Sequence, residues 1–329
     1  MKPIAFVLTL LFFVVTSYGQ ENGVYSSIEE ALQSPEKVIK LSLYDQKLTS
    51  LPKEISTLTK LKVLDISRNN FNEFPAVITK LAGLEELYFR GGDSYMEKFL
   101  EEDIFFMDSL PEGLFNLKKL RILDLRYHYI REIPSAIKQL TQLDELHLFH
   151  NELSPESVKN ICALQQLDVL DIGGNGLLTL PKEFSNFQKL SYLGLDNNWS
   201  EGVPVGETLE EFPMVICKLN QLEELHLMGQ LLEEIPEEIE NLTKLKVLNL
   251  FVNNFKSLPE SVTNLSELEE LNIDVMCIGS LGEICASSFT FPRDICKLEK
   301  LQKFYFSERK INSGELEKLK CLPNLVSVE

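Results

Sequence analysis

The chain is poor in the residues on which most chemistry depends. Its 329 residues include one tryptophan, six cysteines and four histidines, His128, His147, His150 and His226. No H-E-x-x-H, G-x-S-x-G, P-loop or complete G-x-G-x-x-G pattern occurs. No two cysteines have the C-x-x-C spacing of a zinc knuckle. Six cysteines in a chain of this length do not make a disulfide-built scaffold. These absences argue against an enzyme and imply no metal or cofactor. Positive charge is also short: 32 Lys and Arg stand against 50 Asp and Glu, a net charge of −18. A field of that sign repels phosphate backbones and anionic lipid, so nucleic acid and membrane surfaces are disfavoured partners. The one long apolar run, Ile4 to Val15, is shorter than the ~20 residues of a membrane span. Lys2 precedes it, and Ser17 and Gly19 follow. That is the layout of a secretory signal peptide over residues 1–19. The expectation is an exported, extracytoplasmic chain, secreted or periplasmic, with no membrane insertion of the mature protein. An uncleaved N-terminus would instead leave an intracellular scaffold.

What the chain has in quantity is leucine, and it recurs. Leu245 to Glu267, LKVLNLFVNNFKSLPESVTNLSE, is one copy of a unit that its neighbours repeat. Eleven copies start at Val38, Leu61, Leu84, Leu120, Leu143, Leu167, Leu190, Leu222, Leu245, Leu268 and Leu301, and a half-copy starts at Leu325. Such a face cannot be buried by one copy alone, so each is one coil of a stack. Early in each copy apolar and polar residues alternate, which predicts a short strand. Position 9 is Asn69, Asn151, Asn175, Asn198 or Asn253 in some copies, and a buried Asn there can bond the turn backbone. Gln46, Gly92, His128, Gln230, Met276 and Arg309 replace it elsewhere, and the ladder is expected to break at them. Most copies then carry a Leu-Pro-like step, as at Pro52 or Pro259. Apolar residues three and six further on predict a helical or 3₁₀ turn. Copies 5 and 11 lack that step and are expected to form a true α-helical turn. Before the first copy, Ser27 and Glu30 make a capping-box pattern, so residues 20–37 read as a helical N-terminal cap.

The unit L-x-x-L-x-L-x-x-N-x-L-x-x-L-P resembles the short leucine-rich repeat of plant Ras-group and Shoc-2-like proteins and of many bacterial proteins. The resemblance covers residues 38–329. It implies an α/β, right-handed leucine-rich-repeat solenoid of horseshoe shape. A parallel sheet would line the concave face, and short helical turns the convex one. It also implies a scaffold that binds protein or peptide partners.

Function is sought where the chain departs from its repeat. Insertions lengthen copies 3, 7 and 10, near residues 92–109, 199–211 and 276–290. All fall between strand and Leu-Pro, so they should emerge along one edge. In the first, Phe99, Leu100, Ile104 and Met107 fit an amphipathic helix. Cys277 and Cys285 could close a small loop; Cys296 and Cys321 fall on adjacent coils; Cys162 and Cys217 are two coils apart. Strand side chains at positions 3, 5 and 7 should face the concave side, with position 8 just beyond. There copies 3 to 5 gather Tyr88, Arg90, Asp124, Arg126, Tyr127, His147, Phe149 and His150. Aromatic residues and Arg are the usual interface anchors. Asp124, His147 and Asp171 form a lateral row whose carboxylates favour a charged imidazole. Met228 and Phe251 make a smaller apolar pair. The expectation is a monomeric binding module for a protein or peptide ligand. A structural or adhesive surface component is the alternative.

Overall fold

A computed structural model of the chain describes residues 23–92, 107–200, 203–205, 207–274, 289–306, 311–325 and 327–328. In each copy, positions 3 to 5 form a three-residue strand. The strands are β2 Lys40–Ser42, β3 Val63–Asp65, β4 Glu86–Tyr88, β5 Ile122–Asp124, β6 Glu145–His147 and β7 Val169–Asp171. They continue as β8 Tyr192–Gly194, β11 Glu224–His226, β12 Val247–Asn249, β13 Glu270–Asn272 and β14 Lys303–Tyr305. With β1 Val24–Tyr25 and β15 Ser327–Val328 at the ends, they make one 13-stranded sheet in chain order. Its pairings are parallel, so each position lies beside its own counterpart: Leu87 beside Leu123, Leu123 beside Leu146. This is an α/β leucine-rich-repeat-type solenoid.

The leucines at positions 1, 4 and 6 turn inward and are fully buried along the stack, Leu245, Leu248 and Leu250 among them. Each copy thereby extends one continuous core. The asparagine ladder secures the turn after the strand. Asn253 Nδ2 donates to the carbonyls of Leu227 and Leu250, and its Oδ1 accepts from Leu232 N. Asn69, Asn151 and Asn175 do the same work. Contrary to the expectation, the ladder does not break at three of the replaced positions. Gln230 Nε2 donates to Leu195 O, and its Oε1 accepts from Leu209 N. Gln46 Nε2 reaches Ser26 O in the N-terminal cap. His128 Nε2 bonds Phe89 O at 2.7 Å, and its Nδ1 accepts from Met107 N at 3.3 Å. Any side chain with a donor and an acceptor at the right reach can serve.

Position 8 closes the strand with left-handed backbone at Asp45, Arg68, Tyr127, His150, Gly174, Gly229 and Val252. In copies 3 and 7 the position falls to Gly91 and Asn197, outside that region, and both insertions begin there. Gly91 is required by close approach, because a Cβ would lie 1.9 Å from Tyr127 O.

On the outer side, Pro52, Pro111, Pro181 and their counterparts cap 3₁₀ turns such as Lys53–Thr57. The prolyl carbonyl accepts the first bond, Ile55 N to Pro52 O at 3.1 Å. Copies 5 and 11 carry α-helices there, α2 Pro155–Ile161 and α3 Ser313–Lys318. At the N-terminus α1 Ile28–Gln33 starts at Ser27, whose hydroxyl accepts from Glu30 N. Most of the first and third insertions, with Phe99, Leu100, Ile104, Cys277 and Cys285, lies outside the described residues. So does the segment before Gly23. Met107 at the end of the first insertion is buried. The second insertion forms an antiparallel hairpin, β9 Asn198–Ser200 with β10 Val203–Val205. Cys296 and Cys321 are joined by a disulfide across adjacent coils, and Cys162 and Cys217 are free and buried.

Candidate functional site on the concave face

The parallel register places the residues of copies 3 to 5 as lateral neighbours. Tyr88 lies beside Asp124, Asp124 beside His147, and His147 beside Asp171. Arg90, Arg126 and Phe149 follow two residues after Tyr88, Asp124 and His147, on the same face. Tyr127 and His150 occupy the left-handed turn just beyond. All eight residues are thus brought to one neighbourhood.

Its centre is Asp124, only 1% exposed. Arg126 grips this carboxylate bidentately, Nε to Oδ1 at 2.9 Å and Nη2 to Oδ2 at 2.7 Å. Arg90 Nε stands 3.7 Å from Oδ2, near enough for charge but not for a hydrogen bond. That Nε is buried and has no hydrogen-bond partner among the described residues. The Asp124 bond holds Arg126 above the usual guanidinium range. Two guanidiniums therefore stand against one shared carboxylate. Beside them Tyr127, Phe149 and His150 form an edge-to-face cluster, with ring centroids 5.3 to 6.0 Å apart. Tyr88 donates to Glu86 at 3.0 Å, and burial with that carboxylate pushes its phenol up to about 12.

The carboxylate–imidazole–carboxylate row does not form a linked unit. Asp124 is committed to Arg126, and His147 Nε2 lies 3.4 Å from Glu145 on its own strand. A side chain two residues along a strand shares its face at about 6.6 Å, a span that a long side chain such as Arg or Glu covers. Here the guanidinium takes the carboxylate in preference to the imidazole.

Further along, the face turns acidic. Asp171 Oδ1 lies over Gly194, where a Cβ would come within 2.8 Å of it. Burial pushes Asp171 up to about 7, against the pull of the Gly173 N–H and Arg126. Burial likewise raises Asp196, whose Oδ1 accepts from Met228 N at 2.7 Å. Tyr192 and His226 stack at 5.1 Å beside them. Among the described residues no group of His, Cys, Asp and Glu is arranged to hold a metal ion.

Comparison with known proteins decides the family. The family described as leucine-rich repeat region matches residues 98–211 and 182–328, and a single leucine-rich repeat matches 60–81. The chain belongs to the leucine-rich repeat family. Receptor-like protein 39 of Arabidopsis thaliana is 30% identical over 176 residues, covering 51% of this chain and 17% of that protein. An internalin of Listeria monocytogenes superposes with a TM-score of 0.60 at 19% identity, covering 91% of this chain and 88% of its own. The ectodomain of the Arabidopsis receptor kinase GASSHO1/SCHENGEN3, solved with Casparian strip integrity factor 2, gives 0.56 at 21% identity. That likeness covers 93% of this chain and 37% of the ectodomain. The chain spans less than half the length of the curated relatives it matches. The structural likenesses, at these identities, establish the fold.

In this leucine-rich repeat protein the conserved geometry of the coil leaves the concave side chains free to vary. Sequence register found the Arg–aromatic neighbourhood. It missed that Asp124 is buried beneath both arginines.

Proposed function

We propose that the protein is an exported, non-enzymatic binding module that holds a protein or peptide ligand on the concave face of copies 3 to 5. The observation that carries this reading is the shared Asp124 carboxylate, with Arg90 Nε 3.7 Å from it and without a hydrogen-bond partner among the described residues, beside the Tyr127–Phe149–His150 rings. A ligand bringing an acidic group next to an aromatic or apolar side chain satisfies both halves. Arg and aromatic residues in such settings carry most of the energy of an interface. The plant ectodomain solved in complex with Casparian strip integrity factor 2 supports the reading, since the same fold there holds a partner. Export is supported by Lys2 with the apolar run Ile4 to Val15, and by the Cys296–Cys321 disulfide, a bond favoured in oxidising compartments.

The test uses the protein as bait against the native extracytoplasmic fraction. Arg90→Gln with Phe149→Ala leaves the Asp124–Arg126 pair intact, so the fold is kept. A polypeptide captured by the wild type should be held roughly tenfold or more weakly by the double variant. Equal capture would remove the site from this face. N-terminal sequencing of the mature chain should begin at Gln20, and a start at Met1 would overturn export.

A further inference from the structure

Copies 7 and 8 differ from the rest on the edge where the chain leaves the sheet for its 3₁₀ turn. The two residues before the Leu-Pro step are Glu210-Glu211 in copy 7 and Glu233-Glu234 in copy 8. Other copies have Thr49-Ser50, Asn72-Glu73, Arg131-Glu132 or Lys256-Ser257 there, so paired glutamates are not a demand of the coil. Between the two edges runs a groove of about 410 Å³, lined by these four glutamates together with Met214 and Leu231. That volume lies in the ~300–1,000 Å³ range of ligand-holding clefts.

Two features distinguish the groove from an ordinary solvated edge. First, it joins its carboxylates to exposed apolar side chains. Six large apolar side chains are exposed among the described residues, and Met214 (45%), Leu231 (39%) and Leu178 lie on copies 6 to 8. Leu178 adjoins the groove through its carbonyl, which accepts from Glu210 N. Second, Leu231, at φ +56°, stands at a left-handed turn position that copies 1 and 6 fill with Lys47 at φ +57° and Gly176 at φ +62°, so the coil does not demand an apolar residue there. A leucine is disfavoured in left-handed backbone, and this one is 39% exposed. Among the described residues the four carboxylates meanwhile have no ion pair or side-chain hydrogen bond.

We infer that this groove docks a cationic polypeptide segment of a partner. The segment sets one apolar side chain between Met214 and Leu231 and its Lys or Arg against the four glutamates. Charge complementarity selects this occupant. A second copy of the chain would bring another net charge of −18 against the same edge. A bare cation would leave the apolar floor wet. The surface is separate from the concave neighbourhood and does not depend on it.

Fluorescence anisotropy of a labelled peptide GKKFKKG with the whole protein tests this, with GKKSKKG as the apolar-deleted probe. The phenylalanine peptide should bind at least tenfold tighter than the serine peptide. Leu231→Gly relieves the backbone, so it should hold or raise the thermal midpoint while removing the preference for phenylalanine. Changing Glu210, Glu211, Glu233 and Glu234 to Gln should weaken binding tenfold or more. The same number of charges removed at Glu36, Glu54, Glu73 and Glu112 should change it less than twofold. Equal affinity for the two peptides, an equal loss from the two charge variants, an unchanged preference in Leu231→Gly, or no binding to the wild type would each overturn the inference.

Discussion

At the scale of single residues, two buried groups pull the protein's acid response in opposite directions. His128 serves as a ladder residue only while neutral. Burial pushes its imidazole down to about 4, although the Phe89 carbonyl and the Asp124 charge favour the proton. An unfolded histidine titrates near ~6.5. Between those values the unfolded chain binds more protons, so this group's contribution is whole above ~6.5 and falls as pH drops towards 4. Asp171 has the opposite sign. Its folded value of about 7 lies far above the ~3.9 of an unfolded aspartate, so here the folded chain binds more protons. Its effect is stabilising on acidification from 7 towards 4. Each group accounts for up to ~2 kcal/mol between pH 7 and pH 5, and the two largely offset. Asp171→Asn should therefore make unfolding free energy fall more steeply from pH 7 to pH 5 than in the wild type. His128→Gln, which keeps a donor and an acceptor, should make it fall less steeply or rise. Urea denaturation of the three proteins at both pH values decides this. Parallel changes in the two variants would show that neither group titrates in the window.

At the scale of the element, each coil is held by leucines that fill it and by one polar side chain that ties its turn to the coil before. Asn253 bonds the carbonyls of Leu227 and Leu250 and the amide of Leu232, all buried. Asn253→Ala strands those three groups and should cost roughly 2–4 kcal/mol. That is close to the ~2–5 kcal/mol of the core cavity left by Leu250→Ala. Equilibrium unfolding of both variants compares them, and an Asn253→Ala loss below ~1 kcal/mol would mean that water enters the turn and replaces the ladder. The strands were legible in the sequence because leucine spacing alone fixes which residues start a coil, and parallel pairing then fixes every lateral neighbour. That is also why the concave neighbourhood of Tyr88, Arg126 and Phe149 could be read in advance. The elements outside the period were not legible. β1 has two residues and no repeat pattern. The β9–β10 hairpin, in which Trp199 pairs with Pro204, carries only a faint turn signal in Glu201-Gly202. Nor could spacing show that His128 and Gln230 would serve as asparagine does, or that Leu231 would be turned outward. Those outcomes depend on reach and on turn conformation, which a count of leucines does not record.

At the scale of the molecule, the sheet is a line of coils in which each touches mainly the next, so stability is a sum of local terms and end coils are the exposed ones. The two ends are closed differently. At the N-terminus, β1 pairs with β2, Ala31 of α1 is buried, and Gln46 bonds Ser26 O. At the C-terminus the Cys296–Cys321 disulfide links sites 25 residues apart on adjacent coils, and Glu315 on α3 accepts from Phe291 N. Ring contacts among Phe289, Phe291, Phe304 and Phe306 fill the interior there. A cross-link closing a loop of this size is worth ~2–4 kcal/mol. In a globular domain its loss would be shared by every residue. In a linear stack it stays near the break. Cys296→Ser with Cys321→Ser should raise amide hydrogen exchange over residues 289–325 and leave copies 1 to 6 at wild-type rates. Hydrogen-exchange mass spectrometry resolves the two regions in one experiment. A uniform rise along the chain would show that the coils unfold as a single unit, in which case the nearest-neighbour description fails for this protein.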